Sequence, residues 1–339
     1  MLLLLWTVCG ARQDDSPMRV VIPGGSVQVG TILARAFHRD GHKVTILSRN
    51  PQKSPWRVVS WDAQTIGDWI DELAGADAVI NLAGGSVNCR YNVANRTEIM
   101  ESRVKSTRVI GEAIARVNSP PRVWIQASTA TIYAHRLDAP NDEVNGIIGG
   151  HEPDAPDTWR FSIDVAMAWE RAVDDTNTAN TRKVKLRSTM VMSPDPGGVF
   201  ETLLGLVRHG LGGTIGAGRQ YVSWIHEDDF IRAVYWLIEH DEVTGAVNVA
   251  APNPVPNRDF MRALRQAWGI RFGLPATKWM LELGALFMKT ETELVLKSRR
   301  VVPGILMKQG FSFRFPSWPE AAGNLCGRWR DLSQKPHQI

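Results

Sequence analysis

The segment Pro23-Gly24-Gly25-Ser26-Val27-Gln28-Val29-Gly30 constrains this chain most, because it separates a short apolar run, residues 19–22, from an amphipathic one, residues 29–39. A strand, a glycine-rich turn and a helix in immediate succession form the phosphate-gripping element of a dinucleotide-binding fold. Glycine lets the backbone turn tightly and approach a pyrophosphate, and the helix N-terminus offers free N–H groups and the positive end of its dipole. The spacing is Gly24-x-x-Val27-x-x-Gly30, so valine occupies the middle position of a GxxGxxG loop. A β-branched residue held at positive φ would cost about 1–3 kcal/mol. Either the loop avoids that conformation or phosphate binding is weakened.

The pattern that follows alternates strand and helix. Strands are expected at 43–47, 58–61, 78–82, 123–127 and 184–192, and helices at 65–73, 96–117 and 163–174. Such alternation specifies an α/β fold, a Rossmann doubly wound parallel sheet with helices on both faces. Beyond Pro194 the texture loosens around Gly197-Gly198, Gly212-Gly213, Gly216 and Gly218, and from Pro252 prolines break a helical pattern. The expected organisation is therefore a Rossmann domain over 18–194, with a late strand near 246–250 returning to it. Residues 195–245 and 251–332 form a smaller, mostly helical C-terminal lobe. Residues 1–17 carry an apolar run, 2–8, that no Lys or Arg precedes and that is too short to span a bilayer. They are expected to be a disordered or spurious extension, with a weak export signal as the alternative.

A net charge of +4 with no long basic run suits an anionic small ligand and argues against nucleic acid. The three cysteines, Cys9, Cys89 and Cys326, form neither a metal-ligand spacing nor a disulfide framework, so no metal is expected. A reducing, cytoplasmic setting and no membrane are expected, and self-association is left open. Among thirteen tryptophans, Trp61, Trp69, Trp124, Trp169, Trp224 and Trp236 lie inside apolar patterns and are expected in the core.

The ends of the later strands add to the nucleotide reading. An NAD-selective site places a carboxylate after the second strand for the ribose 2′-hydroxyl. Here Ser48 and Arg49 stand there, and a guanidinium can grip a 2′-phosphate with charge-assisted hydrogen bonds. NADP(H) is thus the expected cofactor. Trp61 and Asp62 follow the third strand, where a carboxylate can accept from the adenine amino group. Leu82, Ala83 and Gly84 follow the fourth, where small residues let the cofactor cross the sheet edge.

These segments, with Ser102-Arg103, Ser106-Thr107, the run from Ala127 to Tyr133, Trp169-Glu170, Pro194 to Gly198 and Ser223 to His226, resemble the extended short-chain dehydrogenase/reductase superfamily. The run Lys297 to Pro303 and Gly310-Phe311 resemble the tail of its divergent epimerase-like branch, which carries a C-terminal domain of unknown function. The likeness covers nearly everything from Met18 to about Leu332. It implies an NADP-type cofactor and a Ser/Thr, Tyr and Lys that move a proton while hydride is transferred. Thr129 occupies the Ser/Thr slot. The Tyr slot is Phe161 or Ser162, and the Lys slot is Val165 or Ala166. The four tyrosines, Tyr91, Tyr133, Tyr221 and Tyr235, are followed four residues on by Asn95, Leu137, Ile225 and Glu239, so no Tyr-x-x-x-Lys exists in the chain. Tyr133 is the candidate substitute phenol, or else it shapes the pocket. Arg103 is a candidate for holding an anionic substrate, or else forms a salt bridge. His226 is a candidate acid–base or substrate group, or else a structural residue before a helix that Asp228 or Asp229 caps. Three functions remain open: an oxidoreductase or epimerase with a non-standard proton donor, a non-catalytic NADP(H)-binding sensor or regulator, and a structural protein with a degenerate loop.

Overall fold

The computed structural model describes residues 16–153, 155–276 and 296–334, so the expected extension lies almost wholly outside the described residues. The described chain runs β1 (Arg19–Pro23), α1 (Gln28–Arg39), β2 (Lys43–Ser48), β3 (Arg57–Ser60), β4 (Ala78–Asn81), α2 (Val93–Arg116), β5 (Val123–Thr129), α3 (Asp157–Asp174), β6 (Arg182–Ser188) and β7 (Met190–Met192). It continues through α4 (Val199–Arg208), β8 (Tyr221–Val222), β9 (Trp224–His226), α5 (Glu227–Glu239), β10 (Gly245–Val249), β11 (Val255–Pro256), α6 (Asn257–Trp268), α7 (Gly304–Lys308) and α8 (Trp318–Gln334).

The main sheet has seven strands in the order β10-β6-β5-β4-β1-β2-β3, and every pairing within it is parallel. Helices cover both faces, which is why β4 reads Ala-Val-Ile-Asn with all four residues buried. The chain order reverses between β1 and β4, and that reversal opens a crevice at the carboxyl ends of the strands. The glycine loop, the ends of β2 and β3, and the segment after β4 all meet there. Trp61, Trp69, Trp124, Trp169 and Trp224 are buried, and Trp236 packs partly buried against the core.

Three features differ from the sequence expectation. The strand foreseen over 184–192 is two strands. β6 stays in the sheet, the Thr189 amide then donates to the Val249 carbonyl at 3.1 Å, and β7 turns away to pair with β9. The helix foreseen over 65–73 is a 3-10 turn, Asp68–Glu72. The loose stretch assigned to the lobe contains α5, whose Phe230, Ala233, Val234 and Leu237 join Phe37 of α1 in the sheet's own core. Residues 227–239 therefore belong with the Rossmann unit. What remains as a separate lobe is α4, α6 and α8 packed around Trp224, Phe260 and Trp318, the last two rings stacked at 4.0 Å.

The glycine loop is held by a contact of α1 on the loop's own backbone that admits no side chain. A Cβ on Gly30 would lie 2.3 Å from the Gly25 Cα and 2.5 Å from its carbonyl oxygen, both backbone atoms. Gly30→Ala is expected to destabilise the fold by about 1–3 kcal/mol, as overpacking does, read as a lower urea midpoint. An unchanged midpoint would mean that α1 moves away from the Gly25 backbone at little cost.

Candidate nucleotide-binding site

The crevice holds a cleft of about 270 Å³ whose walls include Gly24, Ser26, Val27, Ser48, Arg49, Trp61, Asp62, Leu82, Ala83 and Gly84. These ten come from four separate strand ends, which only the parallel sheet brings together. Gly25, Val29 and Gly30 stand behind the loop rather than on the cleft wall; Gly25 and Gly30 are buried, and Val29 packs against the core. Gln28 departs from expectation. Its side chain turns to the Pro194–Gly198 loop, where Nε2 donates to the Asp195 carbonyl at 3.1 Å. The cleft thus gains at most its backbone.

The loop geometry answers the question of Val27. Its φ is −98° and ψ 170°, extended backbone that a β-branched residue adopts freely, and it is the N-cap of α1. The positive φ falls one turn earlier, at Gly24, with φ +73°. A Cβ there would meet the Ala83 Cα at 2.6 Å. Glycine is therefore required where the backbone passes the β4 rim and not where the middle glycine was expected. Val27 makes no side-chain cap, and the first turn of α1 has no acidic residue. The first N–H groups of a helix lack partners within it, so this end of α1, with Ser26 and Val27 on the cleft wall, can receive an anion. The cradle fits a pyrophosphate.

The rim after β4 is set by Asn81, whose Oδ1 accepts from the Ala83 amide at 3.1 Å while its Nδ2 donates to Gln126 Oε1 at 2.9 Å. Asp62 forms a tight turn. Its Oδ1 accepts from the Gln64 and Thr65 amides, both at 2.8 Å, and its Oδ2 from the Thr65 hydroxyl. Those bonds hold the carboxyl below its ordinary range. The turn puts Ala63 at φ 64°, the one non-glycine among the described residues at positive φ. Arg49 is 61% exposed and only 3.9 Å from Glu98 Oε1. Sequence reasoning missed Asn50, Ala63 and Gln64, and also a face of α2 that supplies Glu98, Glu101, Ser102 and Lys105. The helical spacing of those four opposite the Gly84 segment was the available signal.

The chemistry end is different. Thr129 ends β5 half-exposed, and its Oγ1 accepts from the Thr131 amide at 3.1 Å, leaving its hydroxyl proton available to a ligand. Ser128 is committed, donating to Glu170 Oε1 at 2.6 Å. Arg187 grips both oxygens of Glu170 at 2.7 Å and donates to the Tyr133 hydroxyl at 2.9 Å. Tyr133 donates in turn to Asn248 Oδ1 at 2.9 Å, and Asn248 Nδ2 to the Val302 carbonyl at 3.0 Å. Ser128, Arg187 and Asn248 lie in register across β5, β6 and β10. Tyr133 is 2% exposed, and burial raises its phenol above the ordinary value. Of the two expectations for Tyr133, a substitute phenol or a residue that shapes the pocket, this geometry favours the second: its hydroxyl is bonded to Asn248 and Arg187. On α3, Phe161 packs edge-on against Tyr91 at 5.2 Å, and Val165 and Ala166 are buried. Arg103 lies over the Trp169 ring at 5.0 Å and forms no salt bridge among the described residues.

His226 does not face the cleft walls described above. Its ring is fully buried and stacks on Phe315 at 3.9 Å. Nδ1 accepts from the Asp228 amide at 3.0 Å, so His226 itself caps α5. Nε2 meets Asn324 Oδ1 at 3.1 Å. The expected caps differ accordingly: Asp229 instead accepts from the Arg314 and Phe315 amides at 2.7 and 2.8 Å, pinning the tail. Desolvation pushes His226 down to about 4. A buried neutral ring that the unfolded chain protonates near 6.5 contributes stability that is whole above that pH and is lost as pH falls toward 4. The expected loss is about 1.4 kcal/mol per pH unit inside the window. The urea midpoint should therefore fall between pH 6.5 and 5 in the wild type and fall less in His226→Gln; equal slopes would contradict the assignment.

The match of residues 20–250 to the NAD dependent epimerase/dehydratase family model decides the relationship. The chain belongs to that family. Residues 276–325 match a domain of unknown function, DUF1731. The human epimerase family protein SDR39U1 is 30% identical over 303 residues, covering 88% of this chain and 96% of that protein. A crystal structure of human SDR39U1 with NADPH superposes with a TM-score of 0.79 at 28% identity, covering 91% of this chain and 99% of the other. A nucleoside-diphosphate sugar epimerase from Corynebacterium glutamicum superposes with a TM-score of 0.69 at 28% identity, covering 95% of this chain and 61% of the other. Among the described residues no helix is long and apolar enough to cross a membrane.

Proposed function

We propose that this family member binds NADP(H) in the cleft, with the 2′-phosphate at Ser48 and Arg49, the adenine beside Asp62, and the pyrophosphate on the first turn of α1. The observation that carries the reading is the absence of any carboxylate at the end of β2 in a cleft otherwise built for a dinucleotide. The NADPH in the human SDR39U1 crystal structure supports it. Bound nicotinamide supplies hydride chemistry. What the chain adds at that end is the Thr129 hydroxyl, which can donate one hydrogen bond to a substrate oxygen. It adds no phenol poised by an ammonium, because α3 offers Phe161, Ser162, Val165 and Ala166 at those positions.

Turnover of ordinary alcohol and carbonyl substrates is therefore expected to be slow. Loss of general acid–base help alone removes about 10²–10⁴-fold. The sealing of Tyr133 favours a sensor or regulator that binds the cofactor without rapid oxidoreductase or epimerase chemistry, in a cytoplasmic setting. The test is a screen of carbonyl and alcohol substrates with NADPH and NADP on the wild type and Thr129→Val. Tight NADPH binding with negligible turnover in both fits this reading. Robust wild-type turnover would sink the sensor reading, and its loss in Thr129→Val would make Thr129 the group that serves the reacting oxygen.

A further inference from the structure

α2 carries a cation that no carboxylate answers. The Arg103 guanidinium rests over the Trp169 indole, and its Nη1 donates to the Ile99 carbonyl at 2.9 Å. The ionisable groups near it are the Tyr91 phenol and the Cys89 thiol, both uncharged at neutral pH, and no Asp or Glu pairs with it among the described residues. Loss of water pushes Arg103 down to about 10, which still leaves it protonated at neutral pH. Its neighbours are treated differently: Arg96 holds Asp157 at 2.5 Å and Arg187 holds Glu170 at 2.7 Å. Arg103 is half-buried, and even partial loss of water around a guanidinium without a counter-ion is costly.

The position of this cation is informative. Gly84 lines the nucleotide cleft. A Cβ on Gly84 would meet Arg103 Cγ at 3.1 Å and Cζ at 3.2 Å, so the guanidinium stands directly against the cleft rim. Its Nε and Nη2 make no protein hydrogen bond among the described residues, and neither is among the sealed, unpartnered buried atoms. Arg103 is not itself a wall of the cleft; it packs against Gly84, between the wall residues Ser102 and Lys105 on the same helix. A planar fork with an unbonded edge there matches the two oxygens of a phosphate or carboxylate that reaches past Gly84.

We propose that Arg103 is an oxyanion-binding group of this cleft. Two sources share that chemistry: the pyrophosphate of the bound dinucleotide, and an acidic group on a second ligand. The first source rests on the nucleotide reading above; the second does not require it.

The experiment compares wild type, Arg103→Met and Arg103→Lys in two measurements. One is the melting temperature of the ligand-free protein. The other is the affinity for NADPH, for 2′-AMP, which has the adenosine 2′-phosphate and no 5′-phosphate, and for inorganic pyrophosphate and citrate, each added to the free protein and to the NADPH complex. Methionine keeps the packing on Trp169 and removes the unpaired charge, so the ligand-free Arg103→Met protein should melt no lower than wild type. If the nucleotide is the source, NADPH binding weakens about tenfold or more in Arg103→Met, the loss of a charge-assisted bond. It is partly restored in Arg103→Lys, and 2′-AMP binding stays within about twofold. If a second ligand is the source, NADPH affinity holds, and salt-sensitive binding of pyrophosphate or citrate to the NADPH complex disappears in Arg103→Met. Should wild type bind no NADPH, the nucleotide reading fails, and pyrophosphate binding to the free protein alone decides the fate of Arg103. A lower melting temperature with unchanged affinities, or no oxyanion binding by the wild type, overturns the proposal.

Discussion

Arg49→Ala weakens NADPH binding about 10- to 150-fold and leaves NADH binding within about twofold; that is the expected result of removing a charge-assisted contact worth roughly 1.5–3 kcal/mol. The argument lies in what surrounds Arg49. Its guanidinium is exposed and is 3.9 Å from Glu98 Oε1, a pair too loose and too wet to hold it firmly. A 2′-phosphate would bring a doubly charged partner and a fork-shaped set of acceptors to the same place, with the buried Ser48 beneath it. Because the arginine is exposed, its contribution should shrink as salt rises. Glu98 and Glu101 line the same cleft, so Glu98→Gln should tighten NADPH modestly. The check is a fluorescence titration of both cofactors at low and high salt. Equal wild-type affinities for NADPH and NADH would remove the assignment of Arg49.

The second large effect concerns stability. Arg187→Met is expected to cost about 3–5 kcal/mol, because it leaves the Glu170 carboxylate buried and without its cation. The pair is 11% and 8% exposed, bidentate, and shares its remaining capacity with Ser128 and Tyr133. Such a loss is a large part of the 5–15 kcal/mol that holds typical domains folded, and urea unfolding would read it directly. Glu170→Leu together with Arg187→Met should recover most of the loss, since the desolvation cost of both charges disappears together. Single variants within about 0.5 kcal/mol of wild type would show that water reaches the pair. The same network makes Tyr133→Phe a stability variant. It strands Asn248 Oδ1 and one arm of Arg187, an expected loss of about 1–3 kcal/mol.

The parallel sheet, the crevice at its carboxyl edge and the meeting there of Gly24, Arg49, Asp62 and Leu82 to Gly84 were legible because each depends on local chain order: a strand, then a particular residue at its carboxyl end. What was not legible depended on side-chain direction. Gln28 belongs to the right loop yet reaches Asp195, 167 positions away. Tyr133 sits in the expected segment yet is sealed by Arg187 and Asn248, whose arrival follows only from the register of β5, β6 and β10. His226 lies beside two acidic residues suited to capping, and caps the helix itself because Asp229 is taken by the tail amides. The concern over Val27 dissolved for a conformational reason: the left-handed turn falls on Gly24, so valine takes an ordinary extended φ. The helix α5 went to the wrong unit because its apolar face packs on α1 through residues far apart in sequence.

The central claim, that the crevice at the carboxyl end of the sheet is an NADP(H) site without the usual proton relay, is tested most directly by a crystal structure of this protein grown with NADPH. The account predicts density with the 2′-phosphate against Arg49 and Ser48, the pyrophosphate over the Gly24–Gly30 loop, and the nicotinamide facing Thr129 with neither a tyrosine hydroxyl nor a lysine amine within hydrogen-bond distance of its reactive face. An empty crevice at saturating NADPH, or a tyrosine and lysine brought to the nicotinamide by rearrangement, would contradict it.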